Sequence, residues 1–187
     1  MNTTSKNHST DPRAWMKIVQ NYSRPVPWRS WWQVINSVIP YFGLWVLMFY
    51  SLSISYWLTL LLSIFAAGFL VRIFIIFHDC GHGSFFKSPT TSKLVGIFTG
   101  FLVFTPYHKW HHDHLIHHQT VGNRDKRGVG DVKTLTVEEY MSMPRIKRLL
   151  YRAYRHPIIL LIIGPFVLFT ILFRIPSSKR PAKEKLY

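Results

Sequence analysis

The chain has 187 residues, 48% of them hydrophobic and 16% aromatic, with a formal net charge of +15 at neutral pH. The apolar residues would fill one domain but are gathered in blocks, which excludes an ordinary soluble core. The charge excludes a nucleic-acid partner by its placement, because the Lys and Arg residues flank the apolar blocks instead of interleaving with aromatics on a soluble fold. Arg24 and Arg29 precede the first block, ten basic residues fall between Lys109 and Arg155, and five run from Arg174 to the end.

Residues 1–33 form a polar, basic segment containing Pro25 and Pro27. No short apolar leader opens it, so a cytoplasmic N-terminus and a retained first apolar helix are expected. The single cysteine, Cys80, has no intrachain disulfide partner and fits a reducing compartment.

Residues 34–52 make an apolar run of 19 and residues 56–77 a second of 22, interrupted by Arg72. At 1.5 Å per residue each can cross a hydrocarbon core of about 30 Å. The linker Ser53, Ile54, Ser55 is short and uncharged, so 34–77 reads as a transmembrane hairpin. Basic residues outside both of its ends place those ends in the cytoplasm. Trp28, Trp31 and Trp32 sit where an interfacial aromatic belt would, and Arg72 is expected to snorkel to the surface.

The region 78–156 reads as a cytoplasmic histidine-rich cap. Within it, residues 94–107 are apolar, but the run of 14 contains Gly96, Gly100 and Pro106. A crossing there would separate His78 from His114 by the bilayer, so a re-entrant or interfacial segment is expected. Residues 157–173, interrupted by Gly164 and Pro165, form a borderline membrane segment of 17 that is expected to dip in, leaving the basic tail 174–187 inside. The fold class expected is an all-α integral membrane protein.

Eight of the ten histidines fall between residues 78 and 118. His78 and His82 are four apart, which on a continued helix sets both imidazoles on one face. His114, His117 and His118 share a face through their i, i+3, i+4 relation, with His111 three residues earlier. Neutral imidazole suits Fe, Zn, Cu and Ni, so the histidines alone point to a transition metal without choosing it. Cys80 points off the face shared by His78 and His82 and reads as a packing residue, and His8 and His156 stand apart.

The pattern HxxxH after a long hairpin, followed by WxxxHxxHH, resembles the first two histidine boxes of the membrane-bound fatty-acid desaturases. The runs FHDCGHGSFF and HHQTVGNRDKRGVGDVKTLTVEEY are most similar to acyl-lipid desaturases of the Bacillus type. The resemblance implies two iron ions held mainly by histidine, with His78, His82, His114, His117 and His118 as metal ligands. Asp79 and Asp113 become candidates to orient a ligand imidazole. His111 and His112 match no ligand position and would lie beside the site or at the surface. The loop 123–131 would pack beside the site or receive an electron donor.

The implied reaction introduces a cis double bond into an acyl lipid with O2 and two electrons from a donor such as ferredoxin. The implied location is the bacterial cytoplasmic membrane, with the boxes facing the cytoplasm. The family carries a third box, HxxHH, that this sequence lacks, so the di-iron centre is expected to be incomplete and this truncated chain inactive alone. A lipid hydroxylase or ketolase of the same superfamily, or a non-catalytic fragment, are the alternatives.

Overall fold

The computed structural model describes residues 14–22, 24–126 and 130–175. Expectations about His8, the first 13 residues and most of the basic tail lie outside the described residues. Among the described residues the fold is all helical. The short α1 (Ala14–Tyr22) precedes two long helices, α2 (Pro27–Ser51) and α3 (Tyr56–Gly81). An 18-residue stretch of each has a mean hydropathy of 1.4 and 2.6 respectively, and both helices are long and apolar enough to cross a membrane.

α2 starts one to two turns before the apolar run. Pro27 presets the helical φ at a position whose N–H has no intrahelical acceptor, so the backbone starts there whatever the hydropathy of the next residues. α2 and α3 form an antiparallel hairpin closed at one end by the Ser51 and Thr59 hydroxyls, 2.7 Å apart and buried. At the other end the Ser30 hydroxyl donates to the Phe85 carbonyl at 2.6 Å.

Small residues lie between the helices, among them Ser30, Ser37, Ser51, Thr59 and Ala66. Many large ones face outward, Trp57 79% and Phe49 71% exposed among them, while Tyr41, Ile73 and Phe77 are buried. That inversion of a soluble protein's pattern suits helices that pack by close approach while lipid solvates their large apolar side chains. Arg72 is exposed near the upper end and donates from Nη2 to Asn36 Oδ1 at 3.0 Å.

α4 (Pro89–Leu102) is capped by the Ser88 hydroxyl, which accepts from the Thr91 N–H. Its 14 residues reach about 21 Å, short of a crossing. It descends beside α3 with Gly96 at the level of Cys80 and Gly100 at that of Phe77. The chain then reverses at Phe104, whose φ of 57° is left-handed, and the Thr105 N–H bonds back to the Gly100 carbonyl at 2.7 Å. This is a Schellman-type closure with phenylalanine where glycine is usual. α5 (Tyr107–Thr120) climbs back parallel to α3, which brings the His78 and His114 rings to 4.8 Å.

After a 3₁₀ turn at Arg124–Lys126 come α6 (Val137–Ser142), held by a capping box between Thr136 and Glu139, and α7 (Arg145–Tyr154). The apolar segment that follows is a π-helical turn, Ile159–Ile163, running into α8 (Gly164–Thr170) and a 3₁₀ turn at Leu172–Arg174. Pro165 supplies no N–H and its ring crowds the preceding turn, which widens to relieve it. The combined segment is bent by 58° from α7. Its far end is tied to α5, because Lys109 Nζ donates to the carbonyls of Leu172 and Ile175 at 3.2 and 3.0 Å. Phe169 packs on Phe74 and Phe173 joins the cluster of Tyr41, Ile73, Phe77, Val103 and Trp110.

A methyl group at Gly100 would lie 2.7 Å from the Thr105 carbonyl oxygen and 2.9 Å from the Phe77 ring. Gly100→Ala should therefore destabilise the detergent-solubilised chain by ~1–3 kcal/mol in thermal unfolding followed by circular dichroism. Gly43→Ala, with open space around the added methyl, should leave the midpoint unchanged or slightly higher.

Candidate metal centre

The length of α3 carries the first two histidines clear of the apolar layer. Its 26 residues span about 39 Å, roughly 9 Å more than a hydrocarbon core, so the last turns project beyond it. His78 lies in that last part and His82 caps the helix, its N–H bonded to the His78 carbonyl at 3.1 Å. α5 is set against this end by Trp110. The indole is buried and lies on Gly81, where a Cβ would meet its ring at 2.8 Å, and on Phe77 at a centroid distance of 4.6 Å. Tyr107 fixes the turn below, its hydroxyl donating to the Cys80 carbonyl at 3.3 Å.

With this register His78, His82, His114 and His118 converge, one nitrogen from each lying within 4.8 Å of all the others. The Nε2 atoms run in sequence: His78 to His82 at 3.3 Å, His82 to His114 at 3.0 Å, and His114 to His118 at 3.0 Å. Hydrogen bonding satisfies this set poorly. A neutral imidazole Nε2 either donates once or accepts, yet those of His82 and His114 each face two neighbours. A metal ion about 2.0–2.1 Å from each nitrogen would place adjacent ligands about 3.0–3.4 Å apart and engage all four lone pairs. The donor set therefore fits one transition-metal ion.

Two neighbours hold the rings in this attitude. The Asp79 carboxylate lies 3.0 Å from His78 Nδ1 and accepts a hydrogen bond from its N–H, which leaves Nε2 as the lone-pair nitrogen. The His114 ring stacks on Trp110 at 4.2 Å and 17°. Burial, with the neighbouring imidazoles adding to it, pushes the His114 pKa down from 6.5 to about 4. His82 is also lowered, by burial first and then by His78 and His118, against the opposing pull of Asp79. Both effects keep lone pairs free at neutral pH.

His117 turns another way. Its Nδ1 is buried 3.0 Å from Asp131 Oδ1, an ion-pair distance without an aligned hydrogen bond. Gly130, at φ +75°, passes so close that a Cβ there would sit 3.2 Å from the His117 ring. A cleft of about 820 Å³ opens behind Asp131, between the turn after α5 and residues 131–136, and none of the four clustered histidines lines it. His111 stacks parallel on Tyr107 at 5.9 Å, Asp113 is partly buried, and His112 is exposed. Cys80 is buried at the junction of α3, α4 and Tyr107, a packing position. Sequence reasoning left out Trp110 as the residue that sets the register. Its signal was an i, i+4 relation to His114, which puts an aromatic beneath a histidine on the same helix face.

The family model for fatty acid desaturases matches residues 54–187. A fatty acid desaturase of Bacillus subtilis is 48% identical over 170 residues, covering 91% of this chain and 48% of the relative. An sn-1 oleoyl-lipid 12-desaturase of Picosynechococcus sp. is 33% identical over 130 residues, 69% of this chain and 36% of that protein. A temperature-sensitive sn-2 acyl-lipid omega-3 desaturase (ferredoxin) of Arabidopsis thaliana is 36% identical over 98 residues, 52% of this chain and 22% of that protein. The chain thus spans about half the length of the Bacillus relative and less of the others. No solved structure matches it.

Ferrous iron titrated anaerobically into the detergent-solubilised chain is expected to bind one equivalent tightly. His114→Ala should abolish that binding, Asp79→Asn should weaken it about 10–100-fold, and His112→Ala should leave it unchanged, as read by metal analysis after gel filtration. Acid should act on the metal-free chain as well. The folded pKa of His114 lies below the unfolded value, so the unfolded chain takes up the proton first. The metal-free chain therefore loses stability as pH falls from 6.5 towards about 4, a loss measurable in thermal melts across that range and smaller in His114→Ala.

Proposed function

The chain belongs to the fatty acid desaturase family, a family of oxidoreductases, and from that premise we propose that it forms the N-terminal part, bearing the first two histidine boxes, of a di-iron acyl-lipid desaturase. The reaction introduces a cis double bond into a lipid acyl chain with O2 and two electrons. The observation that carries this reading is the four-nitrogen cluster of His78, His82, His114 and His118 at the end of a helix long enough to cross a membrane.

These four histidines hold one iron. His117, directed to the other side of α5, serves a second, whose remaining ligands come from residues outside this sequence. Bound iron supplies the oxidising power needed to remove two hydrogens from an unactivated acyl chain. The chain's own residues prepare the site for it. Asp79 holds the proton of His78 on Nδ1, Trp110 fixes the plane of His114, and the depressed pKa values of His82 and His114 keep those two ligands neutral at physiological pH. The histidines sit just beyond the apolar faces of α3 and α4, where an acyl chain can approach from lipid without entering water. Phe85 and Phe86 are buried against Val34 and Val95, so packing is their role. The electron donor is a small redox protein; one relative's name specifies ferredoxin. Arg24 before α2 and Arg29 in its first turn, together with the basic residues of the cap, support a centre on the cytoplasmic side of a bacterial membrane.

The test is to join this chain to the portion of the Bacillus subtilis relative that it does not cover and to analyse the fatty acids of expressing cells. New cis-monoenoic chains, lost in His114→Ala and His118→Ala, are expected. Hydroxylated chains, or saturated chains unchanged in cells whose protein is iron-loaded, would overturn the reading.

A further inference from the structure

The amphipathic helix α7 carries chemistry that the metal centre does not use. Its sequence, RIKRLLYRAY, places Arg145, Arg148 and Arg152 at i, i+3 and i+7, on one side of the helix. They line a cleft of about 240 Å³ together with Leu149 and with Tyr140 of α6. Arg152 donates from Nε to the Tyr140 hydroxyl at 2.8 Å, which orients its guanidinium along the cleft. Among the described residues the ion pairs are those of His78 with Asp79 and of His117 with Asp131, so no carboxylate pairs with the three guanidiniums. The nearby Glu139 carboxylate accepts from the Thr136 N–H at 2.6 Å in the capping box of α6.

The next arc of the helix is apolar. Ile146, Leu149 and Leu150, at i, i+3 and i+4, are 64%, 61% and 63% exposed. A third side is occupied, because the hydroxyls of Tyr151 and Tyr154 accept from the N–H groups of Leu135 and Lys133 at 3.2 and 3.1 Å. Those bonds fix the rotation of α7, so the apolar arc and the arginines remain displayed. α7 then leads, through the 58° bend, into the apolar segment that ends beside α3. A helix lying in the interface and joined to a descending segment has this geometry.

We propose that the Arg145–Arg148–Arg152 cleft binds the phosphate of an anionic phospholipid headgroup while Ile146, Leu149 and Leu150 rest in the acyl layer beneath it. Guanidinium groups match phosphate oxygens in geometry as well as charge, and Tyr140 offers a further hydroxyl. The apolar arc next to the arginines favours a lipid over a soluble anion or an acidic protein, since neither would cover three exposed aliphatic side chains. Leu149 belongs to both the cleft and the arc, so headgroup and chain meet at one place on the helix.

The probe is dioctanoyl phosphatidylglycerol, added to the full detergent-solubilised chain and followed by native mass spectrometry, with dioctanoyl phosphatidylcholine and inorganic phosphate as comparisons. Phosphatidylglycerol should bind at least tenfold more tightly than either. Each Arg→Gln change should weaken it about fivefold, and the triple variant R145Q/R148Q/R152Q about 100-fold. A variant losing the same charge elsewhere, R124Q/K126Q/K133Q, should stay within about threefold of the parent. The double variant R145Q/R148Q keeps the Arg152–Tyr140 bond and should still lose about 25-fold, which covers the case in which the triple variant misfolds. Unchanged helicity and iron binding would mark each variant as folded and separate a failure here from a failure of the metal centre. Equal binding of the two lipids, equal loss in the matched-charge variant, or phosphate binding as tight as phosphatidylglycerol would overturn the proposal. So would a triple variant that keeps phosphatidylglycerol but loses affinity for a small acidic redox protein, since the arginines would then serve a protein partner.

Discussion

The contact between the Trp110 indole and Gly81 is the constraint on which the rest of the structure depends. Two helices bring histidines to the site, and nothing in the histidines themselves aligns them: metal-free imidazoles attract one another weakly, and protonated ones repel. The indole on a glycine, backed by Phe77, sets how far α5 climbs along α3 and at what distance. His114, four residues on, then meets His78 and His82, and His118 follows one turn later. The polar cluster is positioned by an apolar contact just below it.

Much of this was legible in the sequence. The apolar runs gave the hairpin, and histidines four apart gave the two halves of the cluster, because both patterns depend only on helical geometry. What stayed hidden required knowing where neighbouring helices lie. On α5, His117 and His118 fall on opposite flanks of His114, about 60° and 40° from it, and spacing cannot tell which flank α3 occupies. The structure puts α3 on the His118 side and the loop at Gly130 and Asp131 on the His117 side. Nor does hydropathy mark where α2 begins, since Pro27 starts it through backbone geometry among exposed tryptophans. The arginines of α7 were visible only as charge until the fold of α6 against α7 made a cleft of them.

The outer surface follows a logic opposite to that of the site. Between α2 and α3 the chain sets small side chains such as Ser37, Ser51, Thr59 and Ala66 beside a few large ones such as Tyr41, Ile73 and Phe77, and it leaves lipid to solvate the many large apolar side chains that face outward. α4 fits the same scheme at shorter length. Gly96 and Gly100 let it press against α3 and Tyr107, and the left-handed Phe104 turns it back after 14 residues. A segment with bulkier residues at those two positions could not approach closely enough to return α5 to the same end of the hairpin.

The overhang of α3 has a practical consequence. Of the four clustered histidines, His78 belongs to the helix long and apolar enough to cross a membrane and His82 caps it, and the glycine that seats Trp110 is that helix's final residue. No cut through the chain can release a water-soluble metal domain, since any cut that removes the greasy surface removes half the donors and the platform for the other half. Whatever preparation is used for spectroscopy or metal exchange must therefore carry the whole hairpin, and the detergent or lipid chosen to cover it becomes part of the environment of the centre.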